Sequence, residues 1–259
     1  MFEIRGSDRP CDALVTFDKR TFFIAGGGFF GSLALKDFNH KVRVIIADMN
    51  EQCAARGLVE TVIKLEDLRR ENLKIHRTIL VVGDASETLR RIVNFGFAPK
   101  IVIPAIPRHF AADFYKRELE ARGFKVYASN KTLERALSVF NNDLILSLDF
   151  KDATFTSSYM PSNVRCMLSC TQPNICPVTG RYKPKPMMQL IEECVGSIVK
   201  SIVLRVTRIG TFVGGFELPA LWNFVSDSSR KALNDEVEVA LATACRCHGV
   251  ASFFRIVRC

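Results

Sequence analysis

The sequence predicts an α/β protein in which a parallel sheet of strand–helix–strand units is followed by a second, smaller α/β region with a cysteine- and proline-rich loop. Three observations carry this. From Thr21 onward, short apolar runs rich in Val, Ile and Phe alternate with longer mixed segments. The first run breaks into the glycine turn Gly26-Gly-Gly-Phe-Phe-Gly31. After Asn130 the alternation gives way to a different pattern, and residues 160–186 hold Pro161, Pro173, Pro177, Pro184 and Pro186, too many for a helix or a central strand. The expected division is 1–135 and 136–259, each half large enough to bury a modest core.

In the first half the candidate strands are Thr21–Ala25, Val42–Ala47, Thr78–Val82, Lys100–Pro104 and Lys125–Ala128. Helical spacing appears at Glu87–Phe95 and at Arg108–Arg122, where Phe110, Phe114 and Leu119 fall close to one face and Lys116, Arg117 and Glu120 elsewhere. Gly123 is placed to stop that helix. In the second half, strands are expected near Leu144–Leu148, Ser201–Val206 and Glu236–Ala244, and Ala153–Tyr159 is a polar, β-prone stretch. A glycine-containing loop is expected at Arg208–Gly215.

Gly26, Gly28 and Gly31 fill the positions of a GxGxxG turn: a tight turn, close approach of backbone to a pyrophosphate, and close packing of helix on strand. Phe29 opens the following helix, whose first N–H groups and dipole favour an anion. Asp48 follows the second strand about 20 residues later, where a carboxylate can accept hydrogen bonds from an adenosine ribose. A 2′-phosphate would be repelled there, and Met49-Asn50 offers no arginine to receive it, so the expected cofactor is NAD. The alternative for Asp48 is a helix cap. Gly83-Asp84-Ala85 ends the third strand with a further acidic turn at the same sheet edge.

Taken together, these residues resemble the TrkA-N type of Rossmann domain, the nucleotide-sensing module of potassium-uptake regulators, over roughly residues 20–130. The resemblance implies that Gly28 and Gly31 meet the pyrophosphate, Asp48 the ribose, and Asp84-Ala85 the adenine side. The chain departs from that family in the long gap between Asp48 and Gly83, with a charged insertion around Glu66–Glu71. S-adenosylmethionine-dependent methyltransferases share the glycine turn and the later acidic residues, but here Ile24 and Ala25 stand where those enzymes carry an acidic residue before the glycines. His109, after Ile103-Pro-Ala-Ile-Pro-Arg, reads either as a proton carrier at the sheet edge or as a polar residue of a first helical turn.

The nine cysteines divide into isolated positions (Cys11, Cys53, Cys194, Cys259), expected to be inert thiols, and two groups. Cys166, Cys170 and Cys176 lie in the proline-rich loop; Cys245 and Cys247, followed by His248, come directly after a candidate strand. Three thiolates from the loop and one or two groups from the second set make a four-ligand centre, either iron–sulfur or zinc, with merely buried or reactive thiols as the alternative. The order of a glycine-turn half, the Cys-Pro-Val-Thr-Gly180 loop and Cys-Arg-Cys-His-Gly249 also looks like a group of uncharacterised bacterial and archaeal proteins.

Composition narrows the partners. With 48% hydrophobic and 24% charged residues the chain is that of an ordinary globular protein. No apolar run approaches the roughly 20 residues of a spanning helix, and Met1–Pro10 is charged where a signal peptide is apolar. Membrane insertion is not expected, and the expected location is cytoplasmic. The net charge of +9 is scattered, densest at Arg181–Lys185, without the aromatic interleaving of a nucleic-acid surface. The expected function is therefore an NAD-binding redox or redox-sensing protein, an oxidoreductase if an enzyme. A methyltransferase and a zinc-stabilised interaction module are the alternatives, and homo-oligomerisation is left open. No catalytic acid–base pair can be named from the sequence.

Overall fold

The computed structural model describes residues 15–38 and 42–259; the expectations for Cys11 and for Met1–Pro10 lie outside them. The described chain is a mixed α/β protein with two sheets and seven α-helices.

The first sheet contains β1 (Phe17–Ala25), β2 (Arg43–Asp48), β3 (Thr61–Lys64), β4 (Thr78–Val82) and β5 (Ala98–Pro104), all parallel in the order β5-β1-β2-β4-β3. The centre of β2 is the uninterrupted run Val44-Ile-Ile-Ala47, fully buried, as a parallel strand covered on both faces requires. Inserted between β2 and β4 are β3, which forms the sheet edge, and the short helix α2 (Arg70–Ile75). These occupy the long gap noted in the sequence, where periodicity gave no strand: β3 has four residues and is only half-buried.

Two outcomes differ from the reading of the first half. The strand expected at Lys125–Ala128 is β6 (Phe124–Ala128), and it pairs antiparallel with a strand of the second sheet. Conversely, the glycine loop expected near Gly214-Gly215 is a short strand, β11 (Gly214–Glu217), antiparallel to β5, with β10 (Thr207–Arg208) outside it. Gly215 is needed there because a Cβ would stand 2.7 Å from the Val102 carbonyl oxygen. Which sheet a short strand joins depends on partners distant in sequence, and local pattern does not encode them.

The second sheet is built from β7 (Ile145–Asp149), β8 (Thr154–Ser158), β9 (Lys200–Arg205), β12 (Val237–Ala244) and β13 (His248–Arg258), in the order β7-β8-β13-β12-β9. Only β9 and β12 are parallel; β13 is long enough to pair with β8 through its first half and β6 through its second.

Helices fill the space between and outside the sheets. On the first sheet, α1 (Phe29–Phe38) covers the face carrying Ile24, Ile46 and Leu80, while α3 (Ala85–Asn94) and α4 (Phe110–Ala121) cover the face carrying Phe23, Ile45 and Val81. Residues of α4 and of α7 (Leu218–Ala232) share one core with Val239, Leu241, Phe254 and Ile256 of the second sheet. The opposite face of β12, Ala240, Ala242 and Ala244, packs under α5 (Asn130–Val139) and α6 (Met187–Gly196). This division of β12 by alternate residues follows from the period of two along a strand.

Candidate functional site

The glycine turn leaves the carboxyl end of β1 beside the loop that follows β5. Because β1 is flanked by β2 on one side and β5 on the other, this is where strand order reverses, the position at which open α/β sheets form a crevice. Each glycine has a distinct environment. Gly26 has φ +102°, and a Cβ on it would stand 2.7 Å from the Ala105 carbonyl oxygen. A Cβ on Gly31 would collide with the Gly26 carbonyl oxygen, and one on Gly27 with Cys53 Sγ. Gly28 is exposed and has open space around it. The turn is thus packed on three sides and open at Gly28, with Phe29 exposed beside it at the start of α1.

Asp48, the last residue of β2, accepts a hydrogen bond from Gly27 N–H on Oδ2 (2.6 Å) and one from Asn50 N–H on Oδ1 (2.8 Å). It closes a turn rather than capping a helix, since the next helical segment begins only at Arg56, and it ties β2 to the glycine turn. The Gly27 carbonyl accepts from Ala55 N–H, so the segment after β2 folds over the turn. Cys53 lies under that fold, and burial raises its thiol pKa.

Gly83, Asp84 and Ala85 are at the same edge but engaged locally. Asp84 is the N-cap of α3, accepting from Glu87 N–H at 2.9 Å, and its other oxygen pairs with Arg108 (3.6 Å) and Arg117 (3.4 Å). Gly83 makes room for Leu65, and Ala85 is buried as the first residue of α3.

His109 stands at the N-cap of α4, with Nδ1 2.8 Å from Ser252 Oγ of β13 and Nε2 buried without a hydrogen-bond partner. Burial holds its pKa down at about 3. The ring is neutral across the physiological range, so it joins α4 to the second sheet and does not carry a proton at the sheet edge.

The cysteine groups are brought together. Cys245–His248 is the turn of the β12–β13 hairpin, closed by Cys245 N–H on the His248 carbonyl (2.9 Å). The long loop is pinned to it: Arg246 N–H donates to Gln172 Oε1 (3.2 Å), its Nε to the Gln172 carbonyl (3.1 Å), and its guanidinium also reaches Asn174. Tyr159 N–H donates to the Cys247 carbonyl, and Met187 and Met188 N–H groups to the carbonyls of Arg246 and Cys245. The loop is irregular, as its prolines require, and its backbone groups bond mainly within the loop, as in Cys176 N–H to the Arg181 carbonyl and Lys183 N–H to the Asn174 carbonyl.

Sulfur atoms in this region receive N–H donors. Cys245 Sγ accepts from the N–H groups of Cys247 and His248 (3.4 Å each) and lies 3.7 Å from His248 Nδ1. Burial works to raise the Cys245 thiol, but His248 and these N–H groups outweigh it and the pKa ends below the ordinary value. Cys170 Sγ accepts from Gln172 N–H at 3.3 Å. Lys183, buried, places Nζ 3.0 Å from Cys247 Sγ. Cys166 is raised by burial and then by its neighbours Cys170, Cys247 and Cys176, which lie within electrostatic range. Cys176 Sγ is 3.5 Å from Met160 Sδ. Among the described residues no three His, Cys, Asp or Glu side chains converge closely enough to hold one metal ion. Of the isolated cysteines, Cys194 is buried with its pKa pushed up to about 11, and Cys259 is exposed.

Sequence reasoning missed Lys183 and Arg246. Lys183 sits in the basic group Arg181–Lys185 and Arg246 between two cysteines, but neither position signals a contact; the folded loop shows that one is buried against a thiol and the other anchors the turn.

The fold and these residues define a two-sheet α/β protein with a glycine turn at a parallel-sheet crevice and a separate group of loop and hairpin cysteines. Residues 111–257 match the AF_1314_C family model, described as "Uncharacterized protein, C-terminal domain", and the chain belongs to that family. It is also 26% identical over 228 residues to an "Uncharacterized protein" of Archaeoglobus fulgidus, covering 88% of this chain and 95% of the relative. No solved structure matches the chain. The family match spans both cysteine groups and leaves the glycine turn outside it. Among the described residues no helix is long and apolar enough to cross a membrane.

Proposed function

We propose that this protein binds NAD at a Rossmann-like site formed by Gly26, Gly28, Phe29, Gly31 and Asp48, with Gly83–Ala85 on the adenine side, and that it works in redox chemistry or redox sensing. The observation that carries the reading is the Asp48 carboxylate at the end of β2, held by Gly27 N–H 2.6 Å away at the point where strand order reverses. Each carboxylate oxygen has a second lone pair, so Asp48 can hold the turn and still accept from ribose hydroxyls. The first N–H groups of α1, free of intrahelical partners, meet a pyrophosphate that approaches over the open Gly28.

The second centre is the cysteine group. Cys166, Cys170, Cys176, Cys245 and Cys247, with His248, would hold an iron–sulfur cluster or zinc: the donors are soft, they belong to a loop and to the hairpin turn it is pinned to, and two of them, Cys170 and Cys245, already accept N–H hydrogen bonds. A bound cluster would supply one-electron transfer, whereas zinc would fix the loop to the hairpin. For either, the loop closes by a further movement of its thiols toward one another.

Titration calorimetry with NAD, NADP and S-adenosylmethionine tests the first centre. NAD is expected to bind at least about tenfold more tightly than NADP, a difference of about 1.4 kcal/mol; heat from S-adenosylmethionine alone would replace this reading with a methyltransferase. Anaerobic purification with metal analysis and visible absorption tests the second, and a colourless, metal-free, folded protein would remove it.

A further inference from the structure

A cavity of about 610 Å³ opens between the start of α4 and the second sheet, lined from β6, β7, β8 and β13. Its size is that of a small-molecule site. It is apart from the thiols, and the chain reaches it directly from the crevice: Ala105 and Ile106 pack against Gly26, and Pro107, Arg108 and His109 already line the cavity.

The charged residues of the lining are balanced in sign. Arg108, Lys116 and Lys151 stand with Asp113, Asp149 and Asp152, three cations and three carboxylates. One wall is a fixed chain of hydrogen bonds: His109 Nδ1 to Ser252 Oγ (2.8 Å), Ser252 Oγ to Thr154 Oγ1 (2.7 Å), and Thr154 Oγ1 to the Asp152 carbonyl (3.0 Å). Asp113 lines the cavity with its side chain 33% exposed, while its Oδ2 is covered, 3.4 Å from the Arg108 guanidinium. The exposed part of that carboxylate is open to a donor from a ligand.

We propose that this cavity binds a small zwitterion of amino-acid type, its ammonium donating to Asp113 and its carboxylate lying between Arg108 and the lysines. A net anion or a net cation would gain one set of partners and be opposed by the other. A zwitterion satisfies both signs.

The test is calorimetric titration of the full chain, without dinucleotide, against a panel of L-amino acids. For each that binds, the acid lacking the amine and the amine lacking the carboxylate follow. The expected result is binding by at least one amino acid, with each truncated analogue weaker by at least about tenfold and a comparable loss in Asp113→Asn. Should that variant fail to fold, as judged by circular dichroism, the exposed Lys151→Gln and Asp152→Asn substitutions at the rim replace it. No binding by any amino acid at millimolar concentration, equal binding by an analogue lacking one charge, or unchanged affinity in folded variants would each overturn the proposal. Because no NAD is present, failure here concerns the cavity alone and leaves the dinucleotide reading to its own titration.

Discussion

The carboxylate of Asp48 accepts the N–H of Gly27 at 2.6 Å on one oxygen, and the N–H of Asn50 at 2.8 Å on the other. Two strands that are neighbours in the sheet are therefore also joined at their carboxyl ends by a side chain. The charge on the acceptor strengthens both bonds.

Asp48→Asn should expose that dual use. An amide presents one acceptor and one donor, so one of the two N–H groups must face an NH₂. The expected loss of stability is about 1–3 kcal/mol, read as a lower urea midpoint. NAD affinity should fall at the same time, because a ribose hydroxyl loses a charged acceptor. Retained affinity in a folded variant would remove Asp48 from the ribose site.

Gly28→Ala and Gly31→Ala should behave differently although both glycines belong to one motif. Nothing lies within 4 Å of a Cβ at Gly28, whereas one at Gly31 strikes the Gly26 carbonyl oxygen. Alanine at 28 should leave stability within about 0.5 kcal/mol while weakening NAD binding. Alanine at 31 should cost about 1–3 kcal/mol through overpacking. A thermal melt of each variant separates the two effects, and full NAD affinity in Gly28→Ala would argue against pyrophosphate passing over that residue.

His109 gives a pH dependence with a defined sign. Its pKa is about 3 in the folded chain against about 6.5 when unfolded. The unfolded state therefore binds the extra proton first, so the contribution is fully present above about pH 6.5 and is lost as pH falls toward 3. Between pH 7.5 and 5 the loss attributable to this ring is about 2 kcal/mol. His109→Gln, which can still bond Ser252, should flatten the stability profile over that interval. An identical slope in the two proteins would mean that the imidazole is more hydrated than its burial indicates.

Much of the first sheet was legible because its strands are buried on both faces and stand out as continuous apolar runs, as with Val44–Ala47 and Thr78–Val82. The glycine turn was legible for a related reason: an apolar strand, glycines at fixed spacing and a helix follow one another within the chain. The half-buried β3 and the short β11 have no comparable local signal, and β11 takes its place only because β5 offers an open edge.

The α/β class, the positions of Gly26, Gly28, Gly31 and Asp48 at strand ends, and the irregularity of the proline-rich loop all follow from residues adjacent in the chain. Contacts across the fold place β6 in the second sheet, fasten the loop to the Cys245–His248 turn through Arg246, bury Lys183 against Cys247, and make His109 a joint beside a cavity. Each of these depends on contacts between residues far apart in sequence, whose environment is set by what packs around them and not by the residues beside them in the chain.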